Sequence, residues 1–280
     1  MKTLSNSATL WVAATPLGNL GDASPRLKEV LAGAGTVLAE DTRRAGLLFQ
    51  RLGIKSPGFI SLHEHNEEHR IGKVLDLLGG GANVVLISDA GTPLISDPGF
   101  RLVRAAREAG YKVSPVPGPS AATAALSAAG ISPQPYVFLG FAPRKAGERR
   151  QLFENWGPMP AAIVFYERKD RLHDLLADAA RFLGDRDVCI ARELTKEHEQ
   201  FILTTLDEFQ ETEFPLLGEF TVIIGPPKEL QRTSEAEVAA LLNEEAETGG
   251  KPKDIARRVV ERTSGWTSKE LYEVLQRIKS

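Results

Sequence analysis

Residues 83–109, NVVLISDAGTPLISDPGFRLVRAAREA, decide the fold. Val84, Val85, Leu86 and Ile87 are apolar in succession, as in a strand covered on both faces of a parallel sheet. Phe100–Ala109 has helical spacing. The twelve residues between, Ser88–Gly99, hold two Gly, two Pro, two Asp, two Ser and one Thr. That is long for a plain strand-to-helix connection and rich in groups that bond hydroxyls and amines. Asp97-Pro98 reads as a helix start, which gives the second aspartate a structural role. Asp89–Thr92 is left as the ligand-binding segment.

The alternation extends in both directions. Leu10–Ala14, Thr36–Ala39, Phe59–Leu62 and Lys112–Val116 read as further strands. Pro25–Ala34, Arg43–Leu52 and Glu67–Leu78 read as the helices between them. This rhythm predicts a mostly parallel α/β sheet. After Pro115–Ser120 comes an Ala-rich helix to Ala129, then a break at Gly130–Pro135. Tyr136–Phe141, Ala161–Tyr166, Asp187–Ala191, Phe201–Thr205 and Phe220–Ile224 then read as strands with one main helix, Lys169–Leu183, and Ala142–Arg150 as a loop. Beyond Pro226-Pro227, Ser234–Glu247, Lys253–Thr263 and Ser268–Ile278 have helical spacing. Ser234 and Glu237 form a capping-box pattern, and Thr267 can cap the last helix. The expected units are a parallel α/β domain over 1–131, an α+β domain with a mixed sheet over 132–227, and a helix-turn-helix-like domain over 228–280.

Composition excludes several classes. The chain has 280 residues, 34 Lys+Arg, 37 Asp+Glu and a net charge of −3. A globally basic nucleic-acid binder is excluded, so any RNA contact is made by local patches. The single cysteine, Cys189, allows no intrachain disulfide and fits a reducing, cytoplasmic compartment. No apolar run approaches the ~20 residues of a membrane helix.

Two more loops follow strands at the same sheet end as Ser88–Gly99: Ala14–Asp22 and Val116–Ala122. Open α/β sheets bind ligands beyond the carboxyl ends of their strands. Neither loop has the spacing of a dinucleotide fingerprint or a P-loop. Ser120 suits a helix cap. Together the three loops predict one pocket for a small polar cofactor.

The strings ATPLGNLGD (14–22), LAEDTRR (38–44), SLHEHNE (61–67), ISDAGTPLISDPG (87–99), VPGPSAATAALSAAG (116–130), FYERKDRL (165–172), ARELTKEHE (191–199) and GEF (218–220) occur in that order. The ordered set resembles the RNA-modifying branch of the tetrapyrrole-methylase-like superfamily, which methylates the cytidine 2′-oxygen in small-subunit ribosomal RNA. The resemblance covers residues 8–227, and the C-terminal helices resemble that branch's extra domain. It implies a two-lobed, class III S-adenosylmethionine (SAM) methyltransferase fold, SAM in the interlobe cleft, and a homodimer. It maps cofactor contacts onto Pro16, Leu17, Ser88, Asp89, Ala90, Gly91, Thr92, Ile95, Ser120 and Ala121. Phe165, Tyr166, Gly218 and Glu219 fall near the adenine. Thr-Pro-Leu-Gly in the first loop and Ser-Asp-Ala-Gly-Thr-Pro in the second separate the chain from the porphyrinoid branch, the alternative reading. Within FYERKDRL, Lys169-Asp170 departs from the Pro-His usual in the family it resembles, while Phe165, Tyr166, Glu167 and Arg171 keep its pattern.

Methylating a ribose hydroxyl calls for a proton acceptor or a polarising group. Glu40, Asp41, His63, Glu64 and Lys196 are the candidates; Glu40-Asp41 also suit a helix cap, and Lys196 suits a pair with Glu193 or Glu199. His63, His65 and His69 lack the H-E-x-x-H spacing, so no metal site is expected. Arg43, Arg44, Arg144, Lys145, Arg149 and Arg150 form local basic patches for RNA, with a further excess of eight Lys/Arg over four Asp/Glu in Lys251–Ser280.

Overall fold

The computed structural model describes residues 8–228 and 233–279. The first lobe alternates β1 (Thr9–Ala13), α1 (Pro25–Ala32), β2 (Thr36–Ala39), α2 (Thr42–Leu52), β3 (Phe59–Ser61), α3 (Glu67–Gly79), β4 (Val84–Leu86), α4 (Phe100–Glu108) and β5 (Lys112–Val116). The strands form one parallel sheet in the order β3-β2-β4-β1-β5. β4 is central, and its side chains split between two cores. Val85 and Ile87 pack with Leu27, Leu31 and Phe49 of α1 and α2. Val84 and Leu86 pack with Val74, Leu78, Leu102 and Ala106 of α3 and α4. The unbroken apolar run thus fills both faces.

α5 (Ala121–Ala128) leads into the second lobe, which contains β6 (Tyr136–Phe141), α6 (Ala146–Trp156), β7 (Ala162–Arg168), α7 (Leu172–Leu183), β8 (Asp187–Arg192), β9 (Gln200–Thr205) and β10 (Glu219–Ile224). Its mixed sheet runs β6-β7-β10-β8-β9, with only β6 and β7 parallel. α6 and α7 cover one face through Phe153, Leu172, Leu175 and Leu176. α5, which the sequence reading joins to the first lobe, covers the other face: Ala122, Ala125 and Leu126 pack on Ala162, Val164 and Ile223. Cys189 is buried in that layer, and burial pushes its thiol up to about 11.

α8 (Glu235–Glu247), α9 (Pro252–Val260) and α10 (Ser268–Lys279) share a separate core of Val238, Leu242, Ile255, Ala256, Val259, Leu271, Val274 and Leu275. Ser234 and Thr267 accept bonds from Glu237 N and Glu270 N, as their spacing predicts. No helix among the described residues is long and apolar enough to cross a membrane.

The structure corrects three local expectations. Ala142–Arg150 is not all loop: α6 starts at Ala146. Its buried residues are Arg149 and Phe153, so an arginine occupies the stripe that an apolar residue would have announced. The Ser120 side chain does not cap α5. Asp97 does not start α4 either. Gly99 is the N-cap at φ 125°, and Leu102 N donates to Glu67 Oε1 at 3.0 Å. Glu67, at the start of α3, is therefore a buried cap for a neighbouring helix.

Candidate active site

The three loops are tied together at the carboxyl end of the first sheet. Thr15 N donates to Gly91 O at 2.8 Å and Gly91 N to Thr15 O at 3.0 Å. Thr92 Oγ1 donates to Pro119 O at 2.9 Å. Gly91 has φ 79°, a conformation that favours glycine, and a Cβ there would crowd Leu17 Cδ2 at 3.1 Å.

The second lobe closes over them. Asn19 N donates to Thr195 Oγ1 at 3.2 Å, and Ala122 N to the Tyr166 hydroxyl at 3.2 Å. The stem of Lys196 lies against Gly18, where a Cβ would collide with it. Between the lobes is a cleft of about 530 Å³. Its walls include Leu17, Asp89, Ala90, Gly91, Thr92, Ile95, Ala121, Tyr166, Gly218 and Glu219, all expected from the sequence. Pro16 and Ser88 line a small recess beside it, where Ser88 Oγ pins Ala90 O and Gly91 O at 3.2 and 3.1 Å. Ser120 heads α5, its hydroxyl beside Tyr166. Phe165 is the exception. Strand alternation turns it away from Tyr166 into the α6/α7 core, its ring 6.1 Å from Phe153.

The cleft also holds groups the sequence reading missed. Phe141 is 51% exposed, with its ring 5.9 Å from Tyr166. Phe138, packed on the core behind the cleft lining, has its ring 4.7 Å from Tyr166. An aromatic at the end of an open strand was the available signal. Glu167–Asp170, Phe220 and Thr221 line the cleft as well, and so does Asp97. Burial first, then the charge of Glu40, raises the Asp97 carboxyl to about 6.

Most catalytic candidates are occupied structurally. Asp41 caps α2: its carboxylate accepts from Arg43 N at 2.9 Å and Arg43 NH2 at 2.7 Å, which holds it far below the usual carboxylate range. Burial alone would lower the Lys196 pKa, but bonds of 2.9 Å to both Glu219 and Glu193 raise it on balance. An ammonium so held presents charge and is a poor base. His63 Nε2 lies 3.0 Å from Asn66 Nδ2, and its buried Nδ1 has no hydrogen-bond partner among the described residues. His63, Glu40 and Glu64 do not line the cleft.

The basic candidates divide. Arg44 lines the cleft, 3.3 Å from Asp89 Oδ2. Arg43 and Arg144 are exposed, and Lys145 pairs with Glu148 at 3.0 Å on the surface. Arg149 is buried against Asp178 at 2.6 Å and donates to Pro143 O and Arg144 O. That position removes it from the RNA-facing set. Arg150 pairs with Glu154 at 2.7 Å. In the C-terminal unit, Arg258 and Arg262 pair with Glu245 and Glu244, so α8 offsets much of the expected local excess.

A second groove of about 590 Å³ lies along α7 and the segment after β9, but only one lobe lines it. The interlobe cleft is where the loops converge. It is of cofactor size, with apolar walls at Leu17, Ala121 and Tyr166, and carboxylates for a cationic group. These residues fit SAM, a planar adenine joined to a cationic sulfonium.

Fold and site together define a two-lobed methylase class. The chain belongs to the tetrapyrrole (corrin/porphyrin) methylase family, which residues 9–210 match. It is 40% identical over 272 residues to the ribosomal RNA small subunit methyltransferase I of Micromonospora olivasterospora, covering 96% of this chain and 87% of that one. Against the protein of the same name from Streptococcus pyogenes serotype M1, identity is 38% over 97% of this chain and 96% of the other. The Pseudomonas aeruginosa protein of that name is 49% identical over 69% of each chain. The crystal structure of the methyltransferase CobJ shares the fold at TM-score 0.62 and 19% identity, covering 79% of this chain and 95% of its own. Diphthine synthase does so at TM-score 0.62 and 15% identity, covering 78% and 90%.

Proposed function

We propose that this chain transfers the methyl group of SAM to the ribose 2′-oxygen of a cytidine in small-subunit ribosomal RNA. The observation that carries this reading is the full-length likeness to ribosomal RNA small subunit methyltransferases I, which extends through the C-terminal helices. Bound SAM supplies an electrophilic methyl group and a neutral leaving group. The chain's own task is positioning. Leu17, Ala121 and Tyr166 offer walls for a flat ring, and Gly218 and Glu219 line the cleft at the start of β10. Asp89 holds Arg44 and the Asp41 N–H together, which fixes the floor.

RNA enters from the rim. Arg43, Arg44, Arg144 and Lys145 are the phosphate contacts of this reading, and Arg150 is a peripheral one. The enzyme acts as a homodimer in the cytoplasm on the small subunit; Phe100, Leu203 and Leu217, each at least 60% exposed, are apolar surface that a second copy would cover.

The test is incubation with labelled SAM and one of three acceptors: unmodified small subunits, free ribosomal RNA or a porphyrinoid. Label in RNA, at a ribose that becomes resistant to alkaline hydrolysis, is expected. Label only in the porphyrinoid would sink the reading. Asp89→Ala is expected to weaken SAM binding about tenfold by calorimetry, because Arg44 and the Asp41 N–H lose their shared anchor.

A further inference from the structure

Five carboxyl groups line the cleft: Asp89, Asp97, Glu167, Asp170 and Glu219. Four have cationic partners: Arg44 for Asp89, Arg171 for Glu167, Arg168 for Asp170 and Lys196 for Glu219. Among the described residues Asp97 has none. Nor is it used by the helix that follows, whose N-terminus is served by Glu67.

The backbone before it is costly to form. Leu94 and Ser96 sit at φ 70° and 68°, a left-handed conformation that side chains with a Cβ rarely adopt. Gly99 follows at φ 125°, where a Cβ would meet Leu86 Cδ2 at 2.7 Å. Asp97 thus sits in a run of turns and bends that leaves it on the cleft wall. Resting on the methyl-transfer reading above, we propose that Asp97 is the group that accepts the proton of the attacking ribose hydroxyl.

The chemistry needs such a group. A ribose hydroxyl is a weak nucleophile and must lose its proton as it attacks. In the step, the O2′–C bond forms as the methyl C–S bond breaks. The breaking bond's electron pair goes to sulfur, and the hydroxyl proton goes to an Asp97 carboxylate oxygen and then to water. A base works best when its pKa lies near the working pH. The surroundings of Asp97 provide this. Burial raises its pKa first, Glu40 at the end of β2 raises it further, the Ser88 hydroxyl at the end of β4 lowers it, and Asp89 adds a smaller rise. Tyr166, from β7, is the remaining titratable neighbour, and Arg44 reaches only as far as Asp89. Of the other four acids, Asp89, Asp170 and Glu219 each face a cation, and Glu167, which burial also raises, has a fully buried side chain set against Arg171.

The test combines Asp97→Asn with wild-type protein. In the unliganded wild type, ¹³C NMR of the Asp97 carboxyl, assigned by its loss in D97N, is expected to titrate near pH 6; titration near 4 overturns the proposal. Wild-type kcat on small-subunit RNA is expected to rise through an acidic limb with a midpoint near 6. D97N should lose about 100-fold in kcat and lose that limb, with SAM affinity by calorimetry within twofold of wild type. A parallel collapse of SAM affinity would make Asp97 a donor-gripping carboxylate and overturn the proposal. So would a surviving limb. A wild type inert toward every RNA acceptor would overturn the functional reading itself, whereas an active wild type with an unimpaired D97N removes only the role of Asp97.

Discussion

At the scale of single residues, the cleft separates neutralised carboxylates from one that is not, and stability should register the difference. Asp97 has a pKa of about 6 in the folded chain against 3.8 as its ordinary value. Between those values the folded state binds more protons than the unfolded one, so stability falls as pH rises from 4 to 6 and stays lower above it. Replacing Asp97 by Asn should therefore stabilise the protein at pH 7.5 by about 1 kcal/mol, since solvent screens part of a two-unit shift. At pH 4 the same substitution should be nearly neutral. Urea unfolding midpoints at the two pH values measure this, and a destabilised D97N at pH 7.5 would contradict it. A more stable and less active variant is what a functional carboxylate held in a half-buried site produces. Asp97 is also where sequence reading stops. Asp-Pro before a helix describes both a cap and a free carboxyl, and only the position of Glu67, thirty residues earlier, decides between them.

At the scale of elements, α6 shows how a buried charge network shapes a surface loop. Arg149 holds Asp178, Pro143 O and Arg144 O, while Arg171 holds Glu167 and Ala142 O. Two guanidinium groups thus fix three successive carbonyls, and with them the segment that presents Arg144 and Lys145. Arg149→Ala should cost about 3 kcal/mol, because it leaves Asp178 and two carbonyls without their donor in a nearly closed site. Arg150→Ala, which removes only a surface pair with Glu154, should cost less than about 1 kcal/mol. Urea denaturation of the two neighbours decides it; equal losses would mean that the network carries no weight. Arg144→Ala should weaken RNA binding without loss of stability. The strands were legible because β4, β7 and β10 are apolar runs that match their burial. α6 was not, because its inward stripe contains an arginine whose partners lie 29 residues away on α7 and in the loop before the helix.

At the scale of the whole molecule, two lobes share one cleft and a third unit keeps its own core. The lobes meet at Asn19–Thr195 and where Lys196 lies over Gly18, while Ala122 N to the Tyr166 hydroxyl fixes the start of α5 on the second lobe. The parallel sheet, the mixed sheet and most cofactor-loop positions could be read locally, from strand composition and loop chemistry. The packing of α5 on the second sheet could not, because an Ala-rich helix fits either neighbour. The eight core residues of α8–α10 all come from those three helices, so removing residues 233–280 should leave the cleft intact. Charge gives the unit its role. Glu244 and Glu245 take up Arg262 and Arg258, but Lys251, Lys253 and Arg257 form no ion pair among the described residues. Lys253 and Arg257, four apart on α9, and Lys251 at its N-cap are exposed, cationic groups suited to phosphate. Deletion of 233–280 should therefore keep SAM affinity within about twofold while lowering RNA affinity about tenfold, ~1.4 kcal/mol. The dependence of RNA binding on salt should flatten at the same time, because fewer counterions are released. Calorimetry with SAM and filter binding with small-subunit RNA across a salt series measure both. Equal losses of SAM and RNA affinity would instead make the helices a support for the lobes, with α9 playing no part in holding the substrate.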